Sequence, residues 1–226
     1  MFKNLNRFAL MAMMAVAVVA CDDEVTPTPD PEPDNSLVRI EGEITSNLTL
    51  DATKKYLLVG KVFVQAPNTI TIPAGTVIFG DKDTKAALII NRGAKIIANG
   101  TASNPIVFTS EAPAGFRNRG DWAGIVICGN AATNGNANST IEGIAASTGE
   151  NGVYGPGAGA AINDQNSGSM KFVRIEFAGV ELSPDNELNS LTMGSVGSGT
   201  TIDNIMVSYG NDDAYEWFGG TNNHNY

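Results

Sequence analysis

The chain is broken into short apolar runs. KYLLVGKVFV, NTITI, GTVIFG, ALIINRGAKIIANG, PIVFTS, GIVICG, MKFVRIEFAGV and TIDNIMVSYG follow one another, separated by stretches rich in Gly, Asn, Ser and Thr. Val and Ile suit a pleated backbone, and the separating residues suit turns. With 25 glycines and no evident apolar period of 3.6, long helices are not expected in the mature domain. What remains is an all-β chain of many short strands.

Two internal shifts say how those strands are arranged. ITIPAGTVIFG from Ile70 superposes on LIINRGAKIIA from Leu88, so Gly75 matches Gly93 at a shift of 18 residues. FVRIEFAG from Phe172 superposes on NIMVSYG from Asn204 at a shift of 32. Eighteen residues are too few for a βαβ unit but suit one coil of short strands. The longer shift then reads as the same coil carrying a loop. Stacked coils of this kind make a parallel β-helix, in which inward Val, Ile, Leu and Phe pack on the coils above and below, ~4.8 Å away. Asn, Ser and Thr at equivalent turns are expected to stack as hydrogen-bonded ladders. A β-sandwich is the competing architecture, and it leaves an internal shift unexplained.

The first 20 residues read as a signal peptide. Lys3 and Arg7 precede the apolar run Phe8–Ala20, which is too short to span a bilayer. VVAC, Val18 to Cys21, resembles the lipobox of bacterial lipoproteins, which implies that Cys21 is acylated. Residues 21–36 then form an acidic, Pro-rich tether that is expected to be disordered. DDEVTPTPDPEPDNS, if extended, reaches roughly 45 Å. Residues 37–226 form the folded domain.

Charge and side-chain inventory exclude several functions. Without Lys3 and Arg7, 12 basic residues face 24 acidic ones, a net charge of −12. No Lys or Arg follows Arg174. Such a chain repels phosphate backbones, so no nucleic-acid partner is expected. Cys128 lies in an apolar strand and is expected to pack as a small hydrophobe. His224 is the only histidine, which leaves too few ligands for zinc and argues against a Ser-His-Asp arrangement. GPGAGA, Gly155 to Ala160, lacks the lysine of a phosphate-binding loop and reads as plain loop, as GSVGSGT reads as a turn.

GTVIFG, LIINRGAKIIANGTASNPIVFTS, GDWAGIVICGNA and the long run from MKFVRIEFAGV to EWFGG occur in this order. Together they resemble the right-handed, pectin-lyase-like β-helix lipoproteins of Bacteroidota over roughly Leu37 to Thr221. The acids after Cys21 resemble the surface-export signals of the same group. The resemblance implies an outer-membrane lipoprotein at the cell surface, and little about activity. Some relatives carry a transporter label, but no apolar run here reaches bilayer length. Relatives usually continue with further coils after WFGG, so the chain is expected to belong to a longer protein.

Three places carry chemistry. Thr133 to Ser169 reads as one large loop leaving the coil, with a short strand near TIEGI. In FVRIEF, inward Val173, Ile175 and Phe177 place Arg174 and Glu176 together on the outer face. These two, with Arg117 and Arg119, are the residues a polysaccharide lyase would draw on, and a solvated ion pair is the plainer reading. In GNDDAYEWFGG, the 32-residue shift brings Asp212 and Asp213 near Val180 and Glu181. A calcium site from Glu181, Asp185, Asp212, Asp213 and Glu216 is the sharp expectation, and a solvated acidic rim the plain one. Tyr215 and Trp217, with Phe218, offer a sugar-stacking surface or else pack on the neighbouring coil. The combined expectation is a non-catalytic binding or scaffold module with glycan as the leading ligand. A β-helix polysaccharide lyase or glycoside hydrolase is the first alternative, and a structural or protein-binding module the second.

Overall fold

A computed structural model of the protein describes residues 37–144, 149–183 and 186–225. Cys21, the signal segment, the tether and Asp185 lie outside them. The chain opens with β1 (Val38–Ile44), β2 (Leu48–Thr49) and β3 (Lys55–Val64). One coil follows with β4 (Thr69–Ile72), β5 (Val77–Gly80) and β6 (Ala87–Ile90), and another with β7 (Lys95–Asn99), β8 (Ile106–Ser110) and β9 (Gly124–Cys128). An insertion carries β10 (Ser139–Thr140) and β11 (Val153–Tyr154). The coil resumes with β12 (Gly168–Glu176), is interrupted by β13 (Glu181–Ser183) and β14 (Asn186–Glu187), and closes with β15 (Leu191–Gly194). β16 (Thr201–Ser208), β17 (Tyr215–Phe218) and β18 (His224–Asn225) complete the described chain.

The strands stack in parallel on three sides. Side one joins β2, β4, β7, the start of β12, the start of β16 and β18. Side two joins the start of β3, β5, β8 and the ends of β12 and β16. Side three joins the end of β3, β6, β9, β15 and β17. The fold is therefore an all-β parallel β-helix. Along side one, partners step by 22, 26, 72, 32 and 22 residues, from Leu48 to Ile70, Ile70 to Ile96, Ile96 to Gly168, Ser169 to Thr201 and Ile202 to His224. The 32-residue shift is thus a true coil step.

The 18-residue shift is not. Ile78 pairs with Tyr56 and Phe108, whereas Ile96 pairs with Ile70 and Gly168. The similarity relates β4 to β6 and β5 to β7, two sides further along the same path. Its physical source is the corner. Thr76 N–H donates to Pro73 O at 3.3 Å, and Ala94 N–H donates to Asn91 O at 2.9 Å. Gly75 and Gly93 hold φ of 82° and 84° in those two turns, a conformation glycine adopts without a Cβ penalty. The repeated segment records one kind of corner used twice.

The core is built from inward rows. On side three one row runs Val64, Ile90, Ile127, Met193 and Trp217, in register from coil to coil. On side two another runs Tyr56, Ile78, Phe108, Ile175 and Val207. Side three differs from the others because its outer face is buried too. The insertion, expected to be an exposed loop, instead folds back over it. Ile141, Ile144 and Tyr154 pack on Ala87, Ile89, Val126 and Cys128 in a second apolar cluster. Burial pushes the Cys128 thiol pKa up to about 12.

Polar groups tether this cover. Gln65 and Asn91 follow paired residues, and Asn91 Nδ2 donates to Gln65 Oε1 at 3.0 Å from one coil to the next. Asn91 Nδ2 donates to Asn151 Oδ1 at 2.7 Å, and Gly152 N–H donates to Asn91 Oδ1 at 3.0 Å. Arg92 pairs with Glu150 and also donates to Gly155 O and Asn138 Oδ1.

Candidate functional site

The outer face of side two is open where that of side three is covered. Val173 and Ile175 are buried in the core, so Arg174 and Glu176 point outward, as the alternation requires. Arg174 lies between Val107 and Met206 of the flanking coils. Its guanidinium pairs with the Glu176 carboxylate. The pair is less solvated than its plain reading implies: the Glu176 side chain is 10% exposed and that of Arg174 46%. Thr109 Oγ1 donates to Glu176 Oε2 at 3.1 Å, and Arg117 Nη1 donates to Thr109 Oγ1 at 3.2 Å. Arg117 also sits 5.9 Å from the Phe79 ring centroid. Arg119 reaches away, donating to Gly210 O at 3.2 Å.

Beside this pair lies an open groove of about 640 Å³ lined by Pro105, Phe172, Arg174, Asn204 and Met206. Its corner is unusual. Phe172 and Asn204 hold φ of 47° and 52°, and three residues beyond the groove's Arg174 and Met206, Phe177 and Tyr209 hold 60° and 54°. Left-handed backbone is uncommon for residues with a side chain, and a matching pair in adjacent coils shows that the stack imposes it. The consequence is an outward aromatic pair. The Phe177 and Tyr209 rings stack at 5.0 Å with 6° between planes, and Tyr209 is 61% exposed. Strict alternation had placed Phe177 inward, and the corner turns it out. The 32-residue shift already aligned Phe177 with Tyr209, so the pair was findable in the sequence.

The acids of the opening cluster are dispersed. The strand pairing ends at Glu176 and Ser208, but the two segments stay together beyond it: Asn211 N–H donates to Ala178 O at 2.9 Å, and Asp212 N lies 2.9 Å from where a Cβ on Gly179 would stand, so Asp212 does fall beside Val180. Ser190 N–H donates to Asp213 O at 3.1 Å, so Asp213 adjoins Ser190 rather than Glu181. Glu181 instead pairs with Glu187 in the β13–β14 hairpin, which departs from the coil. Asp185 lies outside the described residues. Asp212 stays in the turn before β17, and Glu216 lies on the outer face of β17 beside Thr192. Among the described residues, no three His, Cys, Asp or Glu side chains gather as a metal-binding group.

Tyr215 and Trp217 belong to the inward rows of side three, below Leu191 and Met193 in register. Tyr215 is fixed by its hydroxyl, which donates to Ile205 O at 2.8 Å. Trp217 is 45% exposed and stacks on Tyr215 at 5.8 Å. His224 closes the cluster edge-on to Trp217, with centroids 5.0 Å apart.

The imidazole is a testable latch. Trp217 Nε1 donates to His224 Nε2 at 3.2 Å, and Asn222 Nδ2 donates to the same nitrogen at 2.9 Å. That nitrogen must be unprotonated to accept. Burial lowers the His224 pKa from its usual 6.5. A depressed folded-state pKa contributes stability that is present above 6.5 and lost as pH falls through the folded value. Trp fluorescence is expected to be steady from neutral pH down to about 6.5 and to change below it. His224→Gln should flatten the titration. An unchanged profile in that variant would remove His224 as the cause.

The stacked three-sided coil with one covered and one open face defines a β-helix of the pectate-lyase-like class. Residues 42–226 match the family described as "Pectate-lyase like beta helix domain", and the chain belongs to it. No curated protein and no solved structure matches the chain.

Proposed function

We propose that this protein is a lipid-anchored outer-membrane surface lipoprotein whose β-helix binds glycan without cleaving it. VVAC, the acidic tether and the resemblance to surface lipoproteins support the anchor at Cys21. The binding part rests on one observation. The open groove and the Phe177–Tyr209 stack flank side two, the groove at the corner where β12 and β16 enter it and the stack just past the ends of the same two strands. Aromatic faces suit the C–H faces of sugars, while Arg174 and Asn204 offer hydrogen bonds to hydroxyls. Arg174 and Glu176 are engaged with each other, and Thr109 occupies the second carboxylate oxygen. That mutual engagement supports a binding role for this face over proton transfer.

The test is a panel of neutral and acidic polysaccharides, scored for bound protein and for released products. Binding without products is expected. Tyr209→Ala should weaken it about tenfold, the loss of one aromatic contact. If Trp217→Ala abolishes binding and Tyr209→Ala does not, the sugar sits on the Tyr215–Trp217 cluster instead. Unsaturated products or new reducing ends would replace the binding reading with the enzymatic one. No affinity for any glycan would sink it and favour a structural or protein-binding module.

A further inference from the structure

We propose that a calcium ion binds at the outer rim of side three, held by Glu216, Asp212 and the side-chain oxygens of Asn189 and Ser190. This does not depend on the glycan reading. Two buried oxygens on consecutive residues carry the inference. Asn189 is 6% exposed and Ser190 is fully buried, yet Asn189 Oδ1 and Ser190 Oγ have no hydrogen-bond partner. Buried oxygens without partners are costly and rare, and each requires an occupant or a reason.

The surroundings point to a cation. The Asn189 side-chain N–H donates to the Glu216 carboxylate, which leaves Asn189 Oδ1 beside it, and Thr192 Oγ1 donates to Glu216 Oε2 at 3.5 Å. Ser190 Oγ and the Asp212 carbonyl oxygen both lie 3.1 Å from the point where a Cβ on Gly210 would stand. The Gly210–Asp213 turn therefore folds against Ser190, and the absent side chain at Gly210 leaves the approach open. Burial raises the Glu216 pKa first, and Glu142 and Asp212 raise it further. Asn189 and Thr192 pull it back only in part. Arg119, which reaches this turn, is engaged by Gly210 O.

The donors are all oxygens: carboxylate, amide, hydroxyl and carbonyl. That set selects a hard cation over zinc, and its irregular loop origin suits calcium better than the strict octahedron of magnesium. Compared with the five-acid expectation, Glu181 and Asp213 are replaced by Asn189 and Ser190, and Asp185 lies outside the described residues.

Thermal unfolding of the chelator-treated full chain, with and without calcium, tests the site. At calcium a hundredfold above its Kd, Tm should rise by about 5–10 °C, with a smaller rise for magnesium. Terbium should show luminescence sensitised through the neighbouring Trp217. Glu216→Gln, which keeps the side chain's shape, should abolish the calcium response. Asp212→Asn, at an exposed turn position, should keep the fold and weaken calcium at least tenfold. A response that survives Glu216→Gln overturns the proposal. So does the absence of both a calcium shift and terbium luminescence, which would mean that these oxygens hold water only.

Discussion

Trp122→Ala is expected to destabilise the protein by about 5 kcal/mol, the largest loss of any single truncation considered. Trp122 is fully buried in the core and stacks on Phe108 at 6.3 Å with 14° between ring planes. Its space exists because residue 80 has no side chain: a Cβ on Gly80 would stand 2.5 Å from Trp122 Cγ. Its indole N–H also donates to Glu176 O at 2.8 Å, tying the start of the β9 segment to the end of β12. Truncation removes the packing, opens a cavity between coils and orphans a buried carbonyl. Since whole domains are stable by roughly 5–15 kcal/mol, such a variant should unfold at a far lower urea midpoint or fail to accumulate. Trp122→Phe separates the terms, because it keeps most of the packing and loses the hydrogen bond, at a cost of about 1–3 kcal/mol. A midpoint unchanged in Trp122→Ala would contradict the core described above.

Asn91→Ala is expected to cost about 3 kcal/mol and to loosen the cover over side three. Asn91 is 1% exposed and links three partners: Gln65, Asn151 and the Gly152 amide. Asn151 extends the network, with Nδ2 donating to Glu43 Oε1 at 3.1 Å. Removing Asn91 strands the Gly152 N–H in a buried place. Beneath the cover sits Cys128, the one free cysteine among the described residues and fully buried. Reaction of Cys128 with a thiol reagent therefore reports the cover. The reaction should be slow in the parent chain and faster in Asn91→Ala. Faster unfolding with no gain in thiol reactivity below the unfolding midpoint would show that the cover and the coil open together.

Period-two alternation made much of this legible. TITI and VIFG alternate between core and partly exposed positions, as their sequences suggest. FVRIEF placed Arg174 and Glu176 on the outer face by the same rule, and the 32-residue shift gave the register of β12 on β16 before any coordinates. One further signal was present and went unread. ALII and GIVIC do not alternate, and every residue in them is buried. Strands buried on both faces read as continuous apolar runs. That pattern announces a second layer, and the apolar residues of the insertion, Ile141, Ile144 and Tyr154, supply it.

Strand identity, stacking and the inward face follow from neighbours one or two residues apart, and the chain's own order carries them. The cover, the corner that turns Phe177 and Tyr209 outward, and the pairing of Glu181 with Glu187 in a hairpin off the coil are decided by how segments pack. Gln65 meets Asn151, and Trp122 meets Glu176, across long intervals of chain. Similar segments also misled where one turn type recurs, because Gly75 and Gly93 mark the same corner on different sides. Local pattern carries the period of a strand. Which surfaces meet is decided by stacking, since a coil buries its apolar face only against other coils or a returning loop.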